Sequence, residues 1–272
     1  MGLSKRNLEL DKSGNNGVWK VDANQGTIAL NTTSRKHSQV FQYDAVFDEN
    51  TPTSQVYKSL FQPTVRAVLT GRHATVFAYG QTGSGKTYTM QGDETAGVQG
   101  LIQLAALDLF DQIKQDTTRE YTLRVKYFEI YNEQIRDLLT VDSVAEDGDE
   151  QRQARRRSVQ ERRLQVREDK HGNPTVDAFE EEVFSVDDVL RLLNAGNINR
   201  AKESTLLNDS SSRSHAIFRI SLESRKLGDE TKRVAVLNLV DLAGSENSTN
   251  SGSTGMRLRE GSKINQRYAL NK

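Results

Sequence analysis

Ala-Thr-Val-Phe-Ala-Tyr-Gly-Gln-Thr-Gly-Ser-Gly-Lys-Thr, residues 74–87, decides the fold. A short apolar run ends at glycine, the form of a buried parallel strand, and leads directly into GxxxxGK[ST], a phosphate loop in its strand–loop–helix setting. Gly80 and Gly85 let the backbone turn around a phosphate, and Gly83 adds freedom between them. Successive N–H groups then point inward at a helix N-terminus and make an anion nest. Lys86 is placed to reach β- and γ-phosphates, and the Thr87 hydroxyl to ligate Mg²⁺. A Gly-rich turn could match such a pattern by accident, but the preceding strand argues against that.

Working outward, a nucleotide site needs a second strand that presents an acid near the metal. Val234 to Val240 is a nearly all-apolar run ending at Asp241, and open α/β sheets place ligands at such carboxyl ends. Asp241 can hold the metal through water. The Gly244 N–H can reach a γ-phosphate with no Cβ in the way, an interaction that ends when the phosphate is hydrolysed. Alone, Asp-x-x-Gly reads as a turn or cap; beside a phosphate loop it reads as a sensor.

Between and around these runs, strand-like and helix-like segments alternate. Val40 to Phe47, Tyr121 to Tyr131 and Ala216 to Leu222 read as strands. Val56 to Leu69 (with a bend or boundary at Pro63), Leu101 to Ile113 and Val183 to Leu193 read as helices. The pattern predicts an α/β fold: a P-loop domain with a central, mostly parallel sheet flanked by helices on both faces. Residues 140–163 interrupt it. Acidic Asp142 to Glu150 runs into QRQARRRSVQERR (151–163), which reads as a charged loop insertion.

Composition narrows the function classes. The 272 residues carry 37 Lys plus Arg against 37 Asp plus Glu, so no global charge draws the chain to nucleic acid or an anionic membrane. No stretch approaches the roughly 20 apolar residues of a membrane span. Cysteine is absent, which excludes disulfides and thiolate metal sites and suits a reducing cytosol. The four His show no metal-ligand spacing, and His215 reads as a structural hydrogen-bonder.

Further blocks carry a family resemblance. Asn208-Asp209-Ser210-Ser211-Ser212-Arg213-Ser214-His215 (NxxSSRSH) resembles switch I of kinesins. AYGQTGSGKTYTM (78–90) resembles their P-loop and DLAGSE (241–246) their switch II. YFEIYNEQIRDLL (127–139) and RLREGSKIN (257–265) resemble two more kinesin segments, in the family's order. The run IFRISLESR (217–225) leans toward the centromere-associated class.

The resemblance implies a motor domain that binds ATP with Mg²⁺, hydrolyses it, and moves on microtubules in the cytoplasm and cytoskeleton. It implies nucleotide contacts at Gly80, Gln81, Thr82, Gly83, Ser84, Gly85, Lys86, Thr87, Tyr88, Asn208 and Asp241. Metal contacts fall to Thr87, Ser212 and, through water, Asp241. Ser211 would help place the attacking water, Gly244 would sense the γ-phosphate, and Arg213 with Glu246 would form a salt bridge joining the two switches. Phosphoryl transfer needs positioning and charge stabilisation more than covalent chemistry, so these groups suffice.

By the same resemblance, residues 1–272 are expected to form a partial motor domain. The family's first strand has no counterpart, and its C-terminal helices and neck linker are missing. A homodimer would form through a coiled coil outside this chain. The Arg-rich stretch reads either as a solvated loop or as a contact for acidic tubulin. A kinesin-like module that holds nucleotide or tubulin without turnover is the alternative function. A P-loop GTPase or transport ATPase of another family would leave NxxSSRSH unexplained.

Overall fold

The computed structural model describes residues 19–30, 40–139, 164–168, 174–206 and 212–246. The charged stretch, residues 140–163, lies outside them, as do Asn208, Ser211 and the RLREGSKIN run. Strands β1 (Trp19–Asp22) and β2 (Thr27–Leu30) form a hairpin, with β3 (Val40–Gln42) added to β2. Asp22 closes the turn: its Oδ1 accepts from the Asn24 and Gln25 N–H groups at 3.1 and 3.0 Å. Alternation predicts a strand through Phe47, yet pairing stops at Gln42. Its partner there is Thr27, where β2 begins and the turn intervenes.

Helix α1 (Thr53–Val56) passes through one π-helical turn (Tyr57–Phe61) into α2 (Gln62–Leu69). Pro63 sits in the first turn of α2, where a missing N–H costs nothing. There follow β4 (Ala74–Ala78), α3 (Lys86–Gln91), the small pair β5 (Gly92–Asp93) and β6 (Val98–Gln99), and α4 (Leu101–Gln115). Next come β7 (Arg119–Tyr131), β8 (Gln134–Asp137), the pair β9 (Val166–Glu168) and β10 (Pro174–Val176), and β11 (Glu181–Val183). Helix α5 (Val186–Leu206), β12 (His215–Lys226) and β13 (Lys232–Asp241) complete the described elements. Val183, expected to open α5, instead ends β11 and pairs with Leu123.

The main sheet runs β11-β7-β12-β13-β4, with β8 on the same edge of β7 as β11. It corrects the expectation of a mostly parallel sheet. Only β13 and β4 pair in parallel among its described strands, while β7 pairs antiparallel with β8, β11 and β12, and β12 with β13. The connections explain this. Residues 227–231 alone join β12 to β13, and a parallel return needs a crossover of a dozen or more. Asn132 and Glu133, at φ 45° and 64°, make the tight turn between β7 and β8.

Side-chain alternation then divides the two faces. Val125 and Tyr127 of β7, Phe218, Ile220 and Leu222 of β12, Leu237 and Leu239 of β13 and Val76 of β4 line one face. Helices α2, α3, α4 and α5 pack there through Val65 and Val68, Met90, Leu101 and Leu109, and Val189 and Leu192. The expectation of helices on both faces is thereby revised for the described residues. The opposite face holds a smaller cluster, Phe128, Ile217 and Val240 with Leu164, Val176 and Ala178. Beside it Phe77 and Val234 are 61 % and 54 % exposed, so the apolar run of β4 is buried on one side only.

One polar knot lies among the helices. Buried Asp108 of α4 accepts from the Tyr57 hydroxyl at 3.1 Å and from Arg66 Nε and a terminal nitrogen at 3.1 and 2.9 Å. Burial and the Asp108 charge both raise the Tyr57 pKa, keeping the phenol a donor. Replacing Tyr57→Phe is expected to lower unfolding stability by about 1 kcal/mol, and Asp108→Ala by about 2–3 kcal/mol because it strands the phenol. Urea unfolding of both variants and of the double variant checks this. The double should fall well short of the sum, since the two share one interaction.

Candidate phosphate-binding site

Parallel pairing of β4 and β13 brings their carboxyl ends side by side, with Asp241 opposite Ala78. The chain leaving each strand is stitched to the other. The Leu242 N–H donates to the Ala78 carbonyl at 3.3 Å and the Ser245 N–H to the Gly80 carbonyl at 3.1 Å. Gly85 caps α3 at φ 90°, a left-handed backbone that a side chain would strain. Residues Gln81 to Gly83 are exposed, and Ser84 to Lys86 are half-buried. Tyr88 lies 47 % exposed beside them on α3.

Lys86 lies back across the loop, its Nζ donating to the Gly80 and Gln81 carbonyls at 2.9 Å each. Burial lowers its pKa, opposed by the Asp241 and Glu246 charges. The Thr87 hydroxyl donates to Asp241 Oδ2 at 2.7 Å, tying α3 to the end of β13. Asp241 is 4 % exposed, and its Oδ1 is buried with no hydrogen-bond partner among the described residues. An orphan carboxylate oxygen beside a threonine hydroxyl suits a hard cation bound through oxygen and water, the way Mg²⁺ binds with phosphates. Among the described residues no group of three or more His, Cys, Asp and Glu could hold a metal.

The third edge is the segment after α5. The Gly244 N–H donates to the Ser212 carbonyl at 2.8 Å, so the predicted switch segments meet through backbone. A Cβ at Gly244 would collide with the Glu246 carboxylate and the Thr82 hydroxyl. That carboxylate accepts from the Thr82 N–H at 2.8 Å and from the Thr82 hydroxyl. Burial would raise the Glu246 carboxyl, but these hydrogen bonds and the Lys86 charge bring it below its ordinary value. His215 has the structural role its sequence suggested, its Nδ1 accepting from the Ala243 N–H at 3.1 Å.

Three further groups were missed by motif reading. Arg200 of α5, 8 % exposed, reaches Asp241 Oδ2 at 3.2 Å and the Ser214 hydroxyl at 3.2 Å. Glu129 of β7 is 1 % exposed, 3.8 Å from Arg200 Nε. Tyr127 accepts from Gln91 Nε2 at 3.0 Å and donates to Asn197 Oδ1 at 2.9 Å, so one phenol joins the end of α3 to the middle of α5. The signal was periodicity. Val189, Leu192, Gly196, Asn199 and Arg200 continue one buried helical stripe, and Val125, Tyr127 and Glu129 one strand face. Polar residues on a buried stripe need partners.

A nest of N–H groups at a helix start, a lysine across it, and an acid at the end of the adjacent parallel strand define a P-loop nucleotide-binding domain. The kinesin motor domain family matches residues 3–270, and the chain belongs to that family. It is 40 % identical over 255 residues to kinesin-like protein KIN-7N of Arabidopsis thaliana, spanning 92 % of this chain and 28 % of that protein. It is 39 % identical to centromere-associated protein E of Homo sapiens, spanning 94 % of this chain and 8 % of that one. A solved structure of a fast kinesin, presented for its ATPase mechanism and interactions with microtubules, superposes with a TM-score of 0.78 at 33 % identity. The overlap covers 97 % of this chain and 69 % of that structure.

Burial pushes the Tyr127 pKa up to about 12 from an ordinary value of 10.0. A raised folded-state pKa contributes stability that is complete below the unfolded value and disappears as pH rises through the folded one. Stability should therefore fall between pH 10 and 12, with Tyr127 accounting for at most about 2–3 kcal/mol. Unfolding midpoints measured across that window should decline less steeply for Tyr127→Phe than for the unsubstituted chain.

Proposed function

We propose that this chain is the nucleotide-hydrolysing core of a microtubule motor. The Thr87–Asp241 hydrogen bond carries the reading, because it sets a metal-binding hydroxyl and a metal-orienting carboxylate on one point at the mouth of the phosphate loop. Backbone N–H groups from Gly83 to Thr87 receive the β-phosphate, and Lys86 exchanges its carbonyl partners for phosphate oxygens. Tyr88 and Gln81 would contact the nucleotide, as the family resemblance implies for Asn208. Thr87, Ser212 and, through water, Asp241 would hold Mg²⁺, which would supply charge neutralisation to the bound phosphates.

The remaining work falls to the two switches. Ser211 orients the attacking water, and the Gly244 N–H, which here donates to the Ser212 carbonyl, exchanges that partner for the γ-phosphate when it is bound. Glu246 leaves Thr82 to pair with Arg213 when the γ-phosphate is bound, excluding bulk water from the reaction. The Gly244–Ser212 backbone hydrogen bond supports this closure, since it already holds the two segments together. Track binding and movement in the cytoplasm follow from kinship with kinesins rather than from the nucleotide site.

Steady-state ATP hydrolysis with and without microtubules tests the reading. Microtubules should raise turnover, and Lys86→Ala should reduce it by about 100-fold or more, as expected when a charge that stabilises the transition state is removed. Folded protein that binds nucleotide but never turns it over would instead make the chain a binding module.

A further inference from the structure

Four successive backbone N–H groups fix the segment that follows β13, and each is taken by a different part of the chain. Leu242 donates to the Ala78 carbonyl, Gly244 to the Ser212 carbonyl and Ser245 to the Gly80 carbonyl. Ala243 donates to Nδ1 of His215 at 3.1 Å. Three of the four acceptors are carbonyls, which accept at any ordinary pH. The fourth is an imidazole, which accepts on Nδ1 only while that nitrogen carries no proton. Ala243 is 0 % exposed, so its N–H cannot turn to bulk water instead.

Sheet register places the ring. His215 opens β12 opposite Ile130 of β7, Ile130 lies opposite Ile135 of β8, and Ile135 bridges to Leu164. The half-buried imidazole thus ends an apolar row, on the face of the sheet away from the helices. Of the charged groups on the surrounding elements, Asp137 of β8 accepts from the Leu139 and Phe179 N–H groups, and the Glu246 carboxylate holds Thr82. Glu133 sits in the β7–β8 turn, and Arg213 lies two residues before the ring. Asp241, Glu129 and Arg136 lie on the opposite face with Arg200 of α5.

An acceptor at Nδ1 puts the proton of the neutral ring on Nε2. A second proton, on Nδ1, makes imidazolium and sets two donors face to face. We propose that His215 is a positioning residue for the terminal phosphate of a nucleoside triphosphate: its unprotonated Nδ1 seats Ala243 and so presents the neighbouring Gly244 N–H, and acidification unseats both. This rests on the nucleotide-site reading given above, in which Gly244 exchanges the Ser212 carbonyl for the γ-phosphate. Discrimination follows, since ADP has no group for Gly244 to meet. The neutral ring makes the bond, so the seat is complete at alkaline pH. It is lost as pH falls through the range in which imidazoles ordinarily take up a proton, about pH 7 to 5.5.

Two measurements on the full chain test this. In the first, nitrogen NMR of histidine-labelled protein near neutral pH should show His215 as the Nε2–H tautomer, its signals assigned by their loss in either variant below. In the second, equilibrium affinities for Mg·ADP and for a non-hydrolysable Mg·ATP analogue are compared across the imidazole range. On acidification the unsubstituted chain should lose about tenfold in affinity for the analogue, the scale of one buried donor losing its acceptor. Its affinity for Mg·ADP should not change. His215→Asn, whose Oδ1 replaces Nδ1 with an acceptor that does not titrate, should hold both affinities throughout. His215→Phe, which keeps a ring and lacks the acceptor, should show the tenfold deficit for the analogue even at neutral pH.

An Nδ1–H tautomer for His215 overturns the proposal, as does an affinity for the analogue that ignores pH. So does an equal loss for ADP and analogue in His215→Phe, which is what a merely structural role would give. An acid-induced fall as large in His215→Asn as in the unsubstituted chain overturns it too. If His215→Phe does not fold, the tautomer and the pH contrast with His215→Asn decide between these outcomes. If the unsubstituted chain binds neither nucleotide, the nucleotide-site reading fails first and the proposal with it, whereas binding of both without the pH contrast overturns the proposal alone.

Discussion

Asp241 is the point on which the rest of the structure converges. One carboxylate, at the end of the central strand β13, receives the hydroxyl of Thr87 from the helix after the phosphate loop and the guanidinium of Arg200 from the helix before switch I. Three chain segments that are far apart in sequence are thereby fixed within reach of one another. Burying a carboxylate in an apolar core is costly unless its charge is paired. Here the cost is limited, because the arginine compensates the charge.

How much of this was legible in the sequence depends on the length scale of the cause. Local patterns were readable. The phosphate loop, the Asp241-to-Glu246 segment, α4 and strands β7, β12 and β13 follow from glycine chemistry, periodicity and apolar runs. Pairing direction was not. Parallel strands were expected from the alternation of elements, but the β12–β13 and β7–β8 turns are too short for crossovers. The signals for this were the brief polar stretch after Lys226 and the Asn132-Glu133 pair. Burial was overestimated at Phe77, because an apolar run cannot say whether both of its faces are covered.

At the site, motif reading found the residues suited to touch ligand and missed those that act through others. Lys86, Thr87, Asp241 and Gly244 belong to short, spaced patterns. Arg200 belongs to no such pattern, and Tyr127 and Glu129 lie in the YFEIYNEQIRDLL run, whose resemblance assigns them no role. Their meaning lies in being polar where periodicity demands burial, and only the register of β7, β12 and β13 shows that Glu129 shares a row with Asp241. Glu246 differs again. Its sequence context pairs it with Arg213, whereas here its carboxylate is taken up by Thr82 of the phosphate loop, a local hydrogen bond that spacing alone does not reveal.

The phenol of Tyr127 has a mechanical meaning beyond its place in the core. With Gln91 on one side and Asn197 on the other, it is a common fixed point for α3 and α5. Neither helix can roll or slide independently without leaving a buried hydroxyl or amide unsatisfied, a penalty of about 1–3 kcal/mol.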